Sequence, residues 1–355
     1  MHKKERALII GGGGHLGSIT VRKLIEKDLV DVFVSTRRRT DAALRNLTIN
    51  SIKSDQFKYI NIDISSDTSL YSALEQVKPK YIYFFAGSGF VQDSFKFPTD
   101  TIKINSIPII KVLEFLRINL PESIVFFPSS SEGYKIMDDG FVNEHSVYEA
   151  ASPYGISKIC NHEFIKLYRD LYGLKIYLGI MFNCEGPLRQ ESYITRKITS
   201  HLTRFKASPK KTEICETGSF SSKRDFGSSE DYVEAIIMIM QSDKQIDNKD
   251  FVFATGKLTS VKELILFVAE RLKIKLVFDF DKGFEYCYEK NSRRVVFKES
   301  KRYTRNKKFD LEKRGNPKKL LNFLSEWGGS RSIFEVLNEM ITYDLSLIDE
   351  KNKIK

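Results

Sequence analysis

Cysteine is scarce and scattered in this chain: Cys160, Cys184, Cys215 and Cys287 stand far apart and form no Cys-x-x-Cys pair. The histidines are only 5 and equally dispersed, so the sequence offers no metal-ligand cluster, and reduced thiols in a cytoplasm are the expectation. Long apolar runs are missing as well. Every one falls far short of the roughly 20 residues of a membrane helix, which argues against a membrane partner. The opening Met1-His-Lys-Lys-Glu-Arg and Ala7–Ile10 have the charge-then-apolar order of a signal peptide, but glycines cut the apolar part short. A buried first strand is the better reading. There is no internal repeat or low-complexity tract. No aromatic platform accompanies the basic residues, which are scattered or gathered in the terminal region 298–319. The excess of 57 Lys plus Arg over 46 Asp plus Glu, a net +11, therefore points away from nucleic acid and toward anionic small substrates.

What is present suits a globular protein: 41% hydrophobic and 29% charged residues over 355 positions, enough for two structural lobes. Short strands are predicted at Ala7–Ile10, Asp31–Ser35, Tyr59–Ile62, Tyr81–Phe85, Ile124–Phe127 and Lys175–Phe182. Helices are predicted between them at His15–Lys27, Leu70–Val77, Ile102–Leu116 (despite Pro108) and Tyr154–Tyr172. Strands apolar on both faces and separated by helices indicate an α/β fold with a Rossmann-like, doubly wound parallel sheet. Past Phe182 the pattern loosens. Cys184–Pro187 reads as a turn, Asp231–Gln241 and Val261–Leu272 as helices, Phe251–Ala254 as a strand, and the last third as mixed. The expected organisation is a nucleotide-binding domain over 1–182 with a returning segment at about 229–258. A smaller, discontinuous C-terminal lobe covers 183–345, and 346–355 is a frayed tail.

Gly11-Gly-Gly-Gly14-His15-Leu16-Gly17 lies between the first strand and the first helix, where a dinucleotide fingerprint belongs. Glycine permits the tight turn and lets backbone N–H groups approach a pyrophosphate at the helix N-terminus. Arg37-Arg38-Arg39 ends the second strand, where an acidic residue would grip a ribose hydroxyl. Arginines suit a 2′-phosphate and hence NADP, unless they form a solvated basic loop. Asp63 and Ile64 after the third strand either edge the adenine or start a turn, and Ala86 completes the candidate cofactor set. Tyr154 and Lys158 stand four apart at a helix start and share a face. The lysine charge favours a tyrosinate able to take a proton from a substrate hydroxyl, and Ser130 can hold that hydroxyl. Glu132, two residues on, adds a carboxylate suited to proton abstraction beside a transient ketone.

Together these residues resemble the extended short-chain dehydrogenase/reductase superfamily, and within it the GDP-mannose 4,6-dehydratase family. Met181-Phe-Asn-Cys-Glu-Gly-Pro-Leu-Arg-Gln-Glu-Ser-Tyr-Ile-Thr-Arg-Lys-Ile198 is similar to that family's segment around FNHESPRRGETFVTRKI. Lys223–Gly227 and Asp231–Ala235 resemble KRDWG and DYVEA, and Phe253–Gly256 resembles IATG. Tyr303–Arg305 with Phe309-Asp310 stands for YFRPxEVD, and Gly315–Pro317 for GDP. The likeness extends to about Leu345.

The resemblance implies NADP-dependent 4,6-dehydration of a GDP-sugar, either GDP-mannose or a close relative, by a cytoplasmic homodimer or homotetramer. Ser130 takes the place of the family's threonine, Glu132 its base, and Tyr154 and Lys158 its oxidising pair. The sugar is oxidised at C4, deprotonated at C5, loses water from C6 and receives the hydride back at C6. Asn183, Lys197, Arg224 and Arg305 match positions that hold the nucleotide sugar, and Ser88 joins them as a candidate. Several positions depart from the pattern. Gly89-Phe90-Val91 replaces Ser-His-Val, Cys184 a histidine, Leu188 an arginine and Lys308 a glutamate, while Gly133 and Lys135 break the usual LYG. A GDP-heptose or another GDP-hexose therefore stays open as substrate. So does C4 chemistry alone (epimerase, reductase or dehydrogenase), and, at the far end, a non-enzymatic NADP-binding sensor.

Overall fold

The apolar runs of the first half become strands of one parallel sheet, since only a sheet covered on both faces accepts residues apolar on both sides. The computed structural model describes residues 4–36, 45–47, 52–303 and 312–353. In chain order these comprise β1 (Glu5–Ile10), α1 (His15–Lys27), β2 (Val30–Thr36), β3 (Lys58–Asn61), α2 (Asp67–Val77), β4 (Tyr81–Phe84) and α3 (Val91–Lys96). Next come α4 (Pro98–Asn105), α5 (Ile107–Asn119), β5 (Ile124–Pro128), a 3-10 turn (Ser131–Gly133), α6 (Pro153–Tyr172) and β6 (Lys175–Met181). There follow β7 (Asn183–Glu185), α7 (Ile194–Ala207), β8 (Cys215–Thr217), β9 (Lys223–Arg224), β10 (Phe226–Ser228), α8 (Ser229–Met240) and β11 (Asp250–Phe253). The remainder is β12 (Thr259–Ser260), α9 (Val261–Arg271), β13 (Leu276–Asp281), β14 (Phe284–Glu289), β15 (Val295–Glu299), α10 (Lys318–Phe323) and α11 (Ile333–Lys353).

The chain divides into two units. The first holds the residues up to Phe182, with Ser229–Phe253 and Gly315–Gly329. Among its described residues a seven-stranded sheet runs β11-β6-β5-β4-β1-β2-β3, and every pairing in it is parallel. Chain order reverses between β1 and β4, which opens a crevice at the carboxyl ends of those strands. The second unit holds Asn183–Ser228, Ala254–Arg314 and the residues from Ser330 onward. There β8 and the β13–β14–β15 meander form one small sheet, over a core that includes Ile198, Leu202, Phe220, Leu264, Phe297 and Leu337. Among the described residues no helix is long and apolar enough to cross a membrane.

Several sequence expectations need correction. The helix anticipated over Ile102–Leu116 is two helices meeting at Ser106. Proline at the second position of α5 is welcome in a first turn, where its missing N–H is not needed, but would break a continuous helix. Of the turn expected over Cys184–Pro187, Cys184 and Glu185 belong instead to β7, which pairs parallel with β10. Gly315–Gly329, assigned to the C-terminal lobe, belongs to the first unit, where the Val142↔Gly315 bridge fastens it. The tail is not frayed from 346 onward, because α11 runs to Lys353.

Candidate active site

Because β1, β4 and β5 are parallel neighbours, the segments after them leave the same edge of the sheet. The glycine loop follows β1. Gly11 has φ +88, the left-handed region that glycine tolerates, and a Cβ there would come within 2.8 Å of the Ala86 nitrogen. A Cβ on Gly17 would lie 2.3 Å from the Gly11 carbonyl oxygen. The loop is thus packed to a closeness only hydrogen allows. It leads into α1, whose Gly14 cap supplies no side-chain hydrogen bond and whose first turn has no acidic residue. His15, Leu16 and Gly17 form that uncapped first turn, electrostatically suited to an anion.

Ala86 lies against the glycine loop, and Ser88 is held nearby. Its N–H donates to Asn105 Oδ1 at 2.8 Å, and Asn105 Nδ2 donates to its carbonyl at 3.0 Å. Asn105 is buried, also touches Ser157 Oγ at 3.4 Å, and accepts from Asn161 Nδ2 through its own carbonyl at 2.9 Å. The sequence reading missed this residue, which fastens the segment after β4 to α6. Its sequence signal is slight, an asparagine three positions before Pro108 at the end of a short helix whose other buried residue is Thr101. Asp63 serves the turn into α2, where its carboxylate accepts from Ser65 N at 2.9 Å. Ile64 beside it is half-buried.

The four candidate catalytic residues converge within the first unit. Helix α6 starts firmly, with Ser152 accepting from Gly155 N at 3.0 Å and Pro153 in the first turn. Lys158 Nζ donates to the Pro128 carbonyl at 3.0 Å, two residues before Ser130, and lies 5.5 Å from the Tyr154 ring centre. Burial lowers the Lys158 amine to about 8. Ser130 is buried, and its hydroxyl accepts from Glu132 N at 3.3 Å across the 3-10 turn. That turn rests directly on α6, since a Cβ on Gly155 would sit 2.8 Å from the Glu132 carbonyl oxygen. Gly133 is also close-packed, at 3.2 Å from Ile159 Cγ1 for an added Cβ, so a side chain there would press on α6.

In the second unit Asn183 binds the Asp225 carbonyl through its Nδ2 at 3.0 Å. The buried Asp225 carboxylate in turn accepts from Thr255 N and Gly256 N, each at 2.8 Å. Lys197 donates to the Glu216 carbonyl and stands 4.0 Å from the Tyr303 ring centre. Arg224 lies in β9 opposite Thr259 and is half-buried. Burial pushes the Cys184 thiol up to about 12, so it remains a neutral thiol. Arg37, Arg38, Arg305 and Lys308 lie outside the described residues.

Comparison with known proteins places the chain in a family. The family model described as GDP-mannose 4,6 dehydratase matches residues 8–340. The Caenorhabditis elegans GDP-mannose 4,6 dehydratase 2 is 29% identical over 355 residues, covering 98% of this chain and 91% of its own. The Sinorhizobium fredii GDP-mannose 4,6-dehydratase is 28% identical, covering 98% and 99%. Among solved structures, a UDP-glucuronic acid 4-epimerase from Bacillus cereus, in complex with UDP-glucuronic acid and NAD, superimposes with a TM-score of 0.78. It is 16% identical and covers 96% of this chain and 99% of its own. A dTDP-glucose 4,6-dehydratase from Bacillus anthracis, in complex with NAD, gives 0.74 at 17% identity, with 96% of each chain covered. At these identities the two structures share the fold.

Proposed function

The chain belongs to the GDP-mannose 4,6-dehydratase family of lyases, and from that premise we propose that it dehydrates GDP-mannose or a closely related GDP-sugar to the 4-keto-6-deoxy sugar. The observation that carries this reading is the meeting of Ser130 and Glu132 with Tyr154 and Lys158, the turn of one packed on the helix of the other. The cofactor we assign is a nicotinamide dinucleotide, for which the close-packed Gly11–Gly17 loop and uncapped α1 are a fitting cradle. NADP is the form that Arg37 and Arg38 favour. Held there, it would supply reversible hydride transfer.

The residues divide the work. Ser130 holds the sugar 4-hydroxyl, and Tyr154 takes its proton as C4 is oxidised, with the Lys158 ammonium stabilising the tyrosinate. The C5 proton then becomes acidic beside the ketone, and Glu132 removes it. The departing C6 hydroxyl leaves as water with that proton. Reduction at C6 and reprotonation of C5 complete an internally balanced reaction, with no net oxidation. Asn183, Lys197, Arg224 and Arg305 are the residues we assign to the nucleotide sugar, the cations being suited to its pyrophosphate. Ser88 joins them, and Asp63, Ile64 and Ala86 join the glycine loop around the cofactor. C4 chemistry alone has no use for Glu132 at this point, and a non-enzymatic sensor has none for the whole set.

A panel of GDP-sugars incubated with the purified protein and read by mass tests the assignment. Loss of water from GDP-mannose or a relative is expected, and epimerisation or oxidation without water loss would refute it. Phe90, Cys184 and Leu188 replace polar family positions, so GDP-heptoses belong in the panel. A homodimer or homotetramer is the assembly we assign, measurable by light scattering.

A further inference from the structure

The turn bearing Ser130 and Glu132 is weakly held by its own bonds. Glu132 N to Ser130 Oγ, Gly133 N to Ser130 O and Tyr134 N to Ser131 O measure 3.3, 3.2 and 3.2 Å, at the long end of the hydrogen-bond range. Backbone bonds hold it at both ends, Ser129 N to Gly179 O at 2.7 Å and Glu149 N to Gly133 O at 2.9 Å, and a side-chain anchor lies just beyond it. The Tyr134 hydroxyl meets His162 Nδ1 at 2.5 Å and stands 3.5 Å from Ser129 Oγ, so one side chain lies against both flanks of the turn. His162 is one helical turn past Lys158 on α6, and its Nε2 meets Asp250 Oδ2 at 2.8 Å. The other Asp250 oxygen accepts from Arg169 NH1 at 2.6 Å, and Arg169 Nε donates to the Ile176 carbonyl at 2.8 Å.

Tyr134, His162 and Asp250 are 1%, 5% and 5% exposed. Buried polar groups of this kind are costly unless every member is satisfied. A carboxylate only accepts, so Nε2 carries a hydrogen and, in the neutral ring, Nδ1 accepts from the Tyr134 hydroxyl. The chain then runs donor to acceptor from the Tyr134 hydroxyl through His162 to Asp250 in the edge strand β11. Apolar packing would join α6 to the sheet as well, but would not set the height and tilt of the turn.

We propose that His162 is a positioning residue, which acts through Tyr134 to hold the Ser130–Glu132 turn at working distance from the sugar. The proposal rests on the dehydratase reading for its catalytic consequence. Displacing a general base by about 1 Å can cost on the order of 100-fold, whereas Tyr154 and Lys158 sit on α6 itself and stay where they are. Ser130 moves with the turn and loosens its hold on the 4-hydroxyl, but the proton transfer of C4 oxidation rests on Tyr154 and Lys158, so His162 governs deprotonation at C5 more than oxidation at C4.

The test compares His162→Phe, His162→Asn, Tyr134→Phe and the double variant His162→Phe/Tyr134→Phe in two assays. In the first, oxidation at C4 is followed by absorbance of the reduced nicotinamide, and elimination by 6-deoxy product and C5 deuterium in D₂O. His162→Phe should slow elimination at least ~10-fold and slow C4 oxidation by a clearly smaller factor, through Ser130, with KM within ~3-fold. The double variant should be no worse than the single. His162→Asn, whose amide oxygen replaces Nδ1 as acceptor, should recover part of the loss. Equal losses in both steps, or unimpaired elimination, would overturn the proposal.

The second assay needs no substrate. Amide exchange over residues 129–135 should quicken in His162→Phe and Tyr134→Phe, while residues 175–181 stay protected. Unchanged exchange overturns the positioning role whatever the substrate. Quickened exchange together with a wild-type protein that dehydrates no GDP-sugar overturns the functional reading and leaves the positioning role standing. If His162→Phe does not fold, His162→Asn and Tyr134→Phe decide both assays.

Discussion

Replacing Lys158 with methionine should stabilise the cofactor-free protein while abolishing oxidation at C4. The ammonium group is desolvated, and its amine is lowered from 10.5 to about 8. At 1.36 kcal/mol per unit, holding the charge in the fold costs at most about 3 kcal/mol near pH 7. The side chain is only half-buried by surface area, so solvent relieves part of that. Methionine, of similar length, removes the charge but leaves the Pro128 carbonyl without its 3.0 Å donor, a loss of about 1 kcal/mol. The expected net gain is about 1–2 kcal/mol at pH 7. The pH dependence follows from the lowered pKa. Below about 8 the lysine is charged in both states and the whole penalty stands. Between about 8 and 10.5 the folded protein sheds the proton before the unfolded chain does, so the wild type gains stability as pH rises. The methionine variant has no such gain, and its advantage should vanish across that window. Urea unfolding of both cofactor-stripped proteins from pH 7 to 10.5 measures this directly. A variant less stable than wild type at pH 7, or a difference that ignores pH, would refute the reasoning. The variant's inactivity would be the usual exchange of stability for a functional charge.

Glu132→Gln should keep oxidation at C4, accumulate bound reduced nicotinamide and form 6-deoxy product on the order of 100-fold more slowly or worse, a typical general-base loss. Dehydration near the wild-type rate would reduce Glu132 to a turn residue. Gly17→Ala would place a Cβ 2.3 Å from the Gly11 carbonyl oxygen, and backbone atoms there cannot step aside. Cofactor affinity measured by fluorescence should fall at least ~10-fold, and an unchanged affinity would show that the loop does not carry the pyrophosphate. Arg37→Ala and Arg38→Ala should each weaken NADP by ~1.5–3 kcal/mol and leave NAD nearly untouched, and equal losses for both would remove the 2′-phosphate assignment. Arg224→Ala should raise KM for the nucleotide sugar without altering NADP binding. A calorimetric titration in which UDP binds and GDP does not would overturn the guanosine preference.

The local parts of the site could be read from sequence because their geometry is local. Four residues of helix bring Tyr154 and Lys158 to one face whatever surrounds them, and only glycine could occupy Gly11 and Gly17 at such contact distances. The sheet was legible for a related reason, since runs apolar on both faces have few other places to go. Even the family could be recognised, because the segment from Met181 to Ile198 retains a distinctive order of residues.

Tertiary structure alone decided the rest, wherever the outcome depended on partners far off in the chain. Where α4 gives way to α5, Ser106 donates to the Ser157 carbonyl of α6 at 3.2 Å, 51 positions away. Asn183–Glu185 is a strand because β10 lies beside it, and Gly315–Gly329 returns to the first unit because Val142 receives it. Asn105, His162 and Asp250 look unremarkable in sequence, with 88 positions between the last two. Periodicity records which face of an element is apolar. It holds no record of which buried donor will find which acceptor, a matter settled only when packing has excluded water from both.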